Sequence, residues 1–158
     1  MSSLERQAQP SAPEPEEFAI DLPSDLRLIE QAVAYLENRL REHAYGGSRV
    51  TLNFRVGVTE ALANAMIYGN RRDPEKHVHV EVTVDSARCC IQVADQGAGF
   101  DPGCVPDPTA PGNRERTGGR GLFLLRRLMD EVHFNECGNA VRLVLHREGP
   151  PLPRAAGG

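Results

Sequence analysis

Residues 49–70 read RVTLNFRVGVTEALANAMIYGN. Phe54, Val58, Leu62 and Ala65 fall on one stripe at helical spacing, and the opposite side carries Val56, Ala63 and Ile67 at intervals of seven and four. The spacing predicts one helix from about Arg49 to Tyr68, stopping at Gly69-Asn70 where turn residues begin. A helix that is apolar nearly all round is a buried helix. Into its second stripe falls Glu60, with Asn64 one turn further on, so two polar side chains share a face that would otherwise be hydrophobic. A buried polar group without a partner costs about 1–3 kcal/mol. The pair therefore calls for partners, and magnesium, water and phosphate have the right chemistry, since Mg²⁺ takes oxygen ligands and keeps some of its waters.

Upstream, Phe18-Ala19-Ile20-Asp21-Leu22 alternates as a half-buried strand does, and Pro23-Ser24 offers a helix start. Leu26, Ile29, Val33, Leu36 and Leu40 then mark an amphipathic helix ending near Gly46-Gly47. Downstream, Val78, Val80, Val82 and Val84 form a strand, and Cys89, Ile91 and Val93 line one face of the next, with Asp85-Ser86 at the hairpin turn. A Gly/Pro-rich segment from Asp95 to Thr117 is long for a connection in a compact domain and reads as a functional lid. Leu122, Leu125, Leu128 and Met129 mark a third helix, and strands over about Glu131 to Glu136 and Ala140 to His146 close the domain through Gly138-Asn139. Helices and strands come in blocks, which favours an α+β fold with a mixed or antiparallel sheet and helices on one face.

The chain has 158 residues, room for one domain, with 40% hydrophobic and 25% charged residues. Residues 1–17, with three prolines and four glutamates, predict a flexible tail ahead of a domain over 18–147, and 148–158 predict a disordered C-terminal tail. No run is long enough to cross a bilayer and the N-terminus has no secretory pattern, so a soluble, cytoplasmic protein is expected. A net charge of −4 argues against gripping a phosphate backbone and favours a small molecule or a protein as partner. Cys89, Cys90, Cys104 and Cys137 lack both metal-site and disulfide-scaffold spacing and are expected as reduced thiols. His77 and His79, two apart on a strand, read as a solvated face.

The remaining chemistry sits in two glycine clusters. Asp95-Gln96-Gly97-Ala98-Gly99 leaves a strand, and Gly118-Gly119-Arg120-Gly121 opens a helix. Taken alone, either is as readily a turn, because Asp caps local backbone and Gly permits positive φ. Taken together, glycines at a helix start let backbone N–H groups approach an anion, with phosphate the natural ligand. A carboxylate at a strand end can accept a hydrogen bond from an exocyclic amine such as adenine N6.

From about Phe18 to Arg147 the sequence resembles the anti-sigma-factor serine/threonine kinases, a branch of the Bergerat-fold (histidine kinase-like) ATPases that also include gyrase B and histidine-kinase catalytic domains. Glu60-Ala61-Leu62-Ala63-Asn64-Ala65 matches the N-box, Asp95 to Phe100 the first glycine box, and Gly119-Arg120-Gly121-Leu122-Phe123-Leu124-Leu125 the second. Met129-Asp130-Glu131-Val132 is similar to this kinase branch in particular.

The resemblance implies a two-layer α/β sandwich with a mostly antiparallel sheet, and ATP and Mg²⁺ as cofactors. Asp95 would bind the adenine amine, Gly97 and Gly99 would shape the adenine pocket, and Asn64 would ligate magnesium. Gly119, Arg120, Gly121 and Leu122 would cradle the phosphates, while Asn139 stands where the wider fold often has a Thr in the adenine network. Glu60 would be the general base; histidine kinases commonly carry Asn there, so Glu60 favours transfer to a hydroxyl. The implied partners are a STAS-domain antagonist as phosphoacceptor and a sigma factor as target, with the kinase a homodimer. Two other readings stand beside this one: an ATP-gated module that sequesters a partner without catalysis, and a detached histidine-kinase catalytic domain.

Overall fold

A computed structural model describes residues 15–42, 48–97 and 119–147. Strand β1, Glu16–Pro23, is followed by a 3₁₀ turn, Leu26–Leu28, whose start is capped by Asp25 accepting from the Arg27 N–H at 3.0 Å. Helix α1 spans Ile29–Glu42. Helix α2 spans Ser48–Asn64 and continues as a π-helical turn, Ala65–Gly69. Strands β2, His77–Val84, and β3, Arg88–Ala94, form the predicted hairpin, its turn held by the Asp85 carboxylate accepting from the N–H groups of Ala87 and Arg88 at 2.7 and 2.8 Å. Helix α3, Gly119–Leu128, and strands β4, Glu131–Phe134, and β5, Ala140–His146, complete the order. The turn before β5 places Gly138 at φ 75°, the left-handed region that glycine enters without strain.

The five strands form one sheet in the order β1-β2-β3-β5-β4, every neighbouring pair antiparallel. Period-two alternation then sorts the side chains. Val78, Val80, Val82, Cys89, Ile91, Leu143 and Leu145 are all fully buried on the inner face, against Leu36, Leu40, Phe54, Val58, Leu62 and Met66 of the helices. On the outer face one row across the sheet runs Ala19, Glu81, Gln92, Arg142, His133, and these polar side chains are exposed. Both expectations, an α+β class and helices on one face, hold. Strand β1 begins at Glu16, two residues earlier than the alternation alone indicated and inside the tail expected over 1–17, because the valine strand β2 is long enough to pair Glu16 opposite Val84 and Glu17 opposite Thr83.

The helices are pinned to one another by polar as well as apolar contacts. Glu37 on α1, 5% exposed, meets Arg41 at 3.1 Å and Arg55 of α2 at 3.0 Å. The Asn53 amide of α2 donates to the Leu128 carbonyl at the end of α3 at 2.9 Å, and Gly57 one turn on lies directly under the Met129 methyl. The His77 and His79 rings sit beside Asp21 on β1, at 2.7 and 3.7 Å, as a solvated strand face. Cys89, Cys90 and Cys137 are free thiols; Cys104, the lid segment beyond Gly97, the expected N-terminal tail other than residues 15–17, and the whole expected C-terminal tail lie outside the described residues. Among the described residues no helix is long and apolar enough to cross a membrane.

Candidate active site

The stripe of α2 that carries Glu60 and Asn64 is not packed into the core. Val56, Glu60, Ala63, Asn64 and Ile67 are all half-buried, whereas Phe54, Val58 and Leu62 on the other side are fully buried. The pair was expected to be buried; it is half-buried because the second apolar side of α2 turns away from the sheet. Neither the Glu60 carboxylate nor the Asn64 carboxamide takes a hydrogen bond or ion pair among the described residues. Two oxygen-bearing side chains one helical turn apart are thus left available on one face.

At its C-terminal end α2 widens into the π turn and delivers Gly69 against the Asp95 carboxylate. A Cβ at Gly69 would overlap that carboxylate, and a Cβ at Gly97 would overlap the Gly69 carbonyl oxygen. Close approach, and not positive φ, is what demands glycine here, since Gly138 is the only described glycine with φ in the left-handed region. The Asp95 N–H donates to the Asn139 carbonyl at 2.8 Å, and the Asp95 carboxylate accepts from the Gly97 N–H at 2.8 Å. The Asn139 amide reaches the Gly97 carbonyl at 3.4 Å, its own Oδ1 accepting from Asn135 at 2.7 Å. Burial raises the Asp95 pKa above the ordinary aspartate value, an effect partly offset by the Gly97 N–H and by the charge of Lys76.

One residue that sequence reasoning treated only as a turn former organises this corner. Asn70 is fully buried, and its amide donates to Ser24 Oγ at 2.8 Å and to the His77 carbonyl at 2.9 Å while its Oδ1 accepts from the Gln96 N–H at 2.8 Å. Gln96 in turn accepts from the His77 N–H at 2.7 Å. The ends of β1, β2 and β3 are thereby tied to the end of α2. The chain leaves through Arg71 and Arg72 at φ 52° and 60°, an arrangement of two consecutive left-handed non-glycine residues that costs of order 1–3 kcal/mol each. The only sequence signal was an Asn after Gly69, which is equally the mark of an ordinary turn.

The structure thus brings Asp95, Gly97 and Asn139 together and joins them through Gly69 to the helix bearing Glu60 and Asn64. Gly119, Arg120, Gly121 and Leu122 form the first turn of α3, where unpaired backbone N–H groups give a positive end. Gly99 lies outside the described residues, as do the side chains of Arg120 and Leu122.

A family profile described as the histidine kinase-like ATPase domain matches residues 22–145, most of the chain and all of these positions. The chain belongs to this family. Among curated proteins, the histidine kinase-like ATPase domain found here is similar to the serine-protein kinase RsbW of Oceanobacillus iheyensis, 30% identical over 52% of this chain and 56% of that protein. It is likewise similar to the serine-protein kinase RsbW of Bacillus subtilis, 30% identical over 61% of this chain and 65% of the relative. The anti-sigma F factor of Bacillus cytotoxicus is 33% identical over 49% of this chain and 54% of its own length. The matched stretches therefore span between about half and two thirds of these relatives.

Proposed function

We propose that this domain binds Mg-ATP and transfers its terminal phosphoryl group to a serine or threonine hydroxyl of a partner protein. The observation that carries the reading is the close approach of Gly69 and Gly97 around Asp95, continuous through Gly69 with a helix whose Glu60 and Asn64 have no partner among the described residues. The Asp95 carboxylate, close against Gly69 and accepting from the Gly97 N–H, is the group that would accept from the exocyclic amine of the base. Asn64 offers an oxygen of the kind a hard cation takes, and magnesium bound there would supply charge neutralisation for the phosphates.

The chain's own residues then divide the work. Asp95 selects the base, with Asn139 and Gln96 fixing the loop that follows it. The first turn of α3 offers backbone N–H groups to phosphate oxygens. Glu60 accepts the proton from the attacking hydroxyl, the task of a general base in phosphoryl transfer. Relatives named serine-protein kinase and anti-sigma F factor support a place in a partner-switching circuit, with a STAS-domain antagonist as phosphoacceptor, a sigma factor as the sequestered target, a homodimeric kinase and a cytoplasmic setting.

Calorimetric titration of Mg-ATP into the wild-type chain and into Asp95→Asn tests the reading. Saturable binding that the substitution abolishes is the expected result. A folded wild-type chain that binds no nucleotide would refute it.

A further inference from the structure

The turn between β4 and β5 carries a chain of hydrogen bonds whose direction is fixed from the backbone. It reads Asn135-Glu136-Cys137-Gly138-Asn139, and Asn135 closes it: the Asn135 N–H donates to the Ala140 carbonyl at 3.1 Å, and the Gly138 N–H to the Asn135 carbonyl at 3.2 Å. The Asn135 side chain does more than close the turn. Its Oδ1 accepts from the backbone N–H groups of Asn139 and Ala140 at 3.0 and 3.2 Å, and its Nδ2 donates to Asn139 Oδ1 at 2.7 Å.

A backbone N–H only donates, so two of them facing one end of an amide require the oxygen there. The end of Asn135 turned to the Asn139 side chain is therefore its nitrogen. An amide nitrogen also only donates, so Asn139 must present its oxygen to Asn135 and its own nitrogen to the opposite side. That side is the surroundings of Asp95. Asn139 Nδ2 reaches the Gly97 carbonyl at 3.4 Å, a long contact, and its second N–H has no acceptor among the described residues.

Gly97 thus stands between an acceptor and a donor, its N–H facing the Asp95 carboxylate at 2.8 Å and its carbonyl facing the Asn139 amide. The pairing edge of adenine presents a donor, the N6 amine, beside an acceptor, N1. Guanine presents the reverse, an O6 acceptor beside an N1–H donor. A hydroxyl in the place of Asn139 could rotate to serve either base, whereas an amide polarised by Asn135 can only donate.

We propose, on the basis of the nucleotide reading above, that Asn135 is a positioning residue for base selection. It holds the Asn139 amide as a donor towards adenine N1, beside Asp95 as the acceptor for the amine, and the pair rejects guanine because a donor would meet a donor and an acceptor an acceptor.

Asn135→Asp separates this role from closing the turn. The new carboxylate accepts from both backbone N–H groups as the amide does, but it has no N–H for Asn139, which then turns its nitrogen to the carboxylate and its oxygen towards the base. Calorimetric titration of the full chain compares ATP with 1-deaza-ATP, which keeps the amine and carries C–H in place of N1; the added negative charge weakens both alike and cancels in the ratio. Wild type is expected to prefer ATP about fivefold or more, the scale of one neutral hydrogen bond, and to bind GTP more weakly than ATP. The preference for ATP over 1-deaza-ATP should fall below about twofold in Asn135→Asp and in Asn139→Ala, each shown to be folded by circular dichroism. A reading that needs no variant comes from NMR of the wild-type chain, where the Asn139 side-chain N–H resonances should move further with ATP than with 1-deaza-ATP. Equal wild-type affinities for the two analogues, GTP bound as tightly as ATP, an undiminished preference in folded Asn135→Asp, or Asn139 resonances that respond alike to both would each overturn the proposal and leave the nucleotide reading standing. A folded wild-type chain that binds no nucleotide at all would remove that reading, and this proposal with it.

Discussion

Glu60 is half-buried, unpartnered among the described residues and one helical turn from Asn64, so its removal should act on chemistry more than on folding or binding. Glu60→Gln is expected to retain ATP affinity while phosphoryl transfer to a serine-bearing partner falls at least about 100-fold, the usual scale for a general base. Unchanged transfer in a radiolabel assay would remove Glu60 from that role. Asp95 makes a pH-dependent prediction of its own. Because burial raises its pKa, lowering the pH protonates it sooner than an ordinary aspartate of pKa about 4, and the acceptor proposed for the adenine amine becomes a donor. Nucleotide affinity measured by calorimetry should therefore fall as the pH drops from neutral, with a midpoint above that ordinary value. Stability runs the opposite way. The cost of an ionised Asp95 is absent below the unfolded-state pKa, grows as the pH rises towards the raised folded value, and is full above it. Urea unfolding of wild type against Asp95→Asn across that window should show the difference.

Among the elements, α2 and its π turn do the most to assemble the site. A straight helix ending at Tyr68 was read from the pattern, and the five-residue widening Ala65–Gly69 was not, because a π turn has no spacing signature that a handful of residues can reveal. Its effect is to bring Gly69 onto Asp95 and to sink Asn70 among the ends of three strands. Asn70→Ala leaves the Gln96 N–H and the His77 carbonyl without their partner. It is expected to cost about 2–3 kcal/mol in urea unfolding and to weaken nucleotide binding as the loop after Asp95 loosens. An unaltered affinity in a destabilised variant would limit Asn70 to a structural part.

For the molecule as a whole, stability rests on one layer of helices over one face of the sheet. Phe54 is fully buried at that junction, among the largest side chains of the core. Phe54→Ala should cost about 3–5 kcal/mol, a large part of the 5–15 kcal/mol that holds a typical domain together. Denaturation followed by circular dichroism checks it, and a loss under about 1 kcal/mol would mean the core closes over the gap. The opposite face of the sheet contributes little of this burial. Its exposed side chains, Glu81, Gln92, Arg142 and His133 among them, are charged or polar.

The sequence by itself determined the elements and their class, since valines two apart on β2 and apolar residues three and four apart on α1 report one buried face whatever lies across from it. It also marked Glu60, Asn64, Asp95 and the glycines after it as chemically odd for their positions. Only the tertiary structure decided that the second apolar side of α2 is left half-open, that Gly69 and Gly97 are needed for contact and not for φ, and that Asn70 is a buried junction. The last two depend on residues 26 to 46 positions apart in the chain meeting in space, and the first on which side of α2 the sheet covers; local pattern carries no record of either.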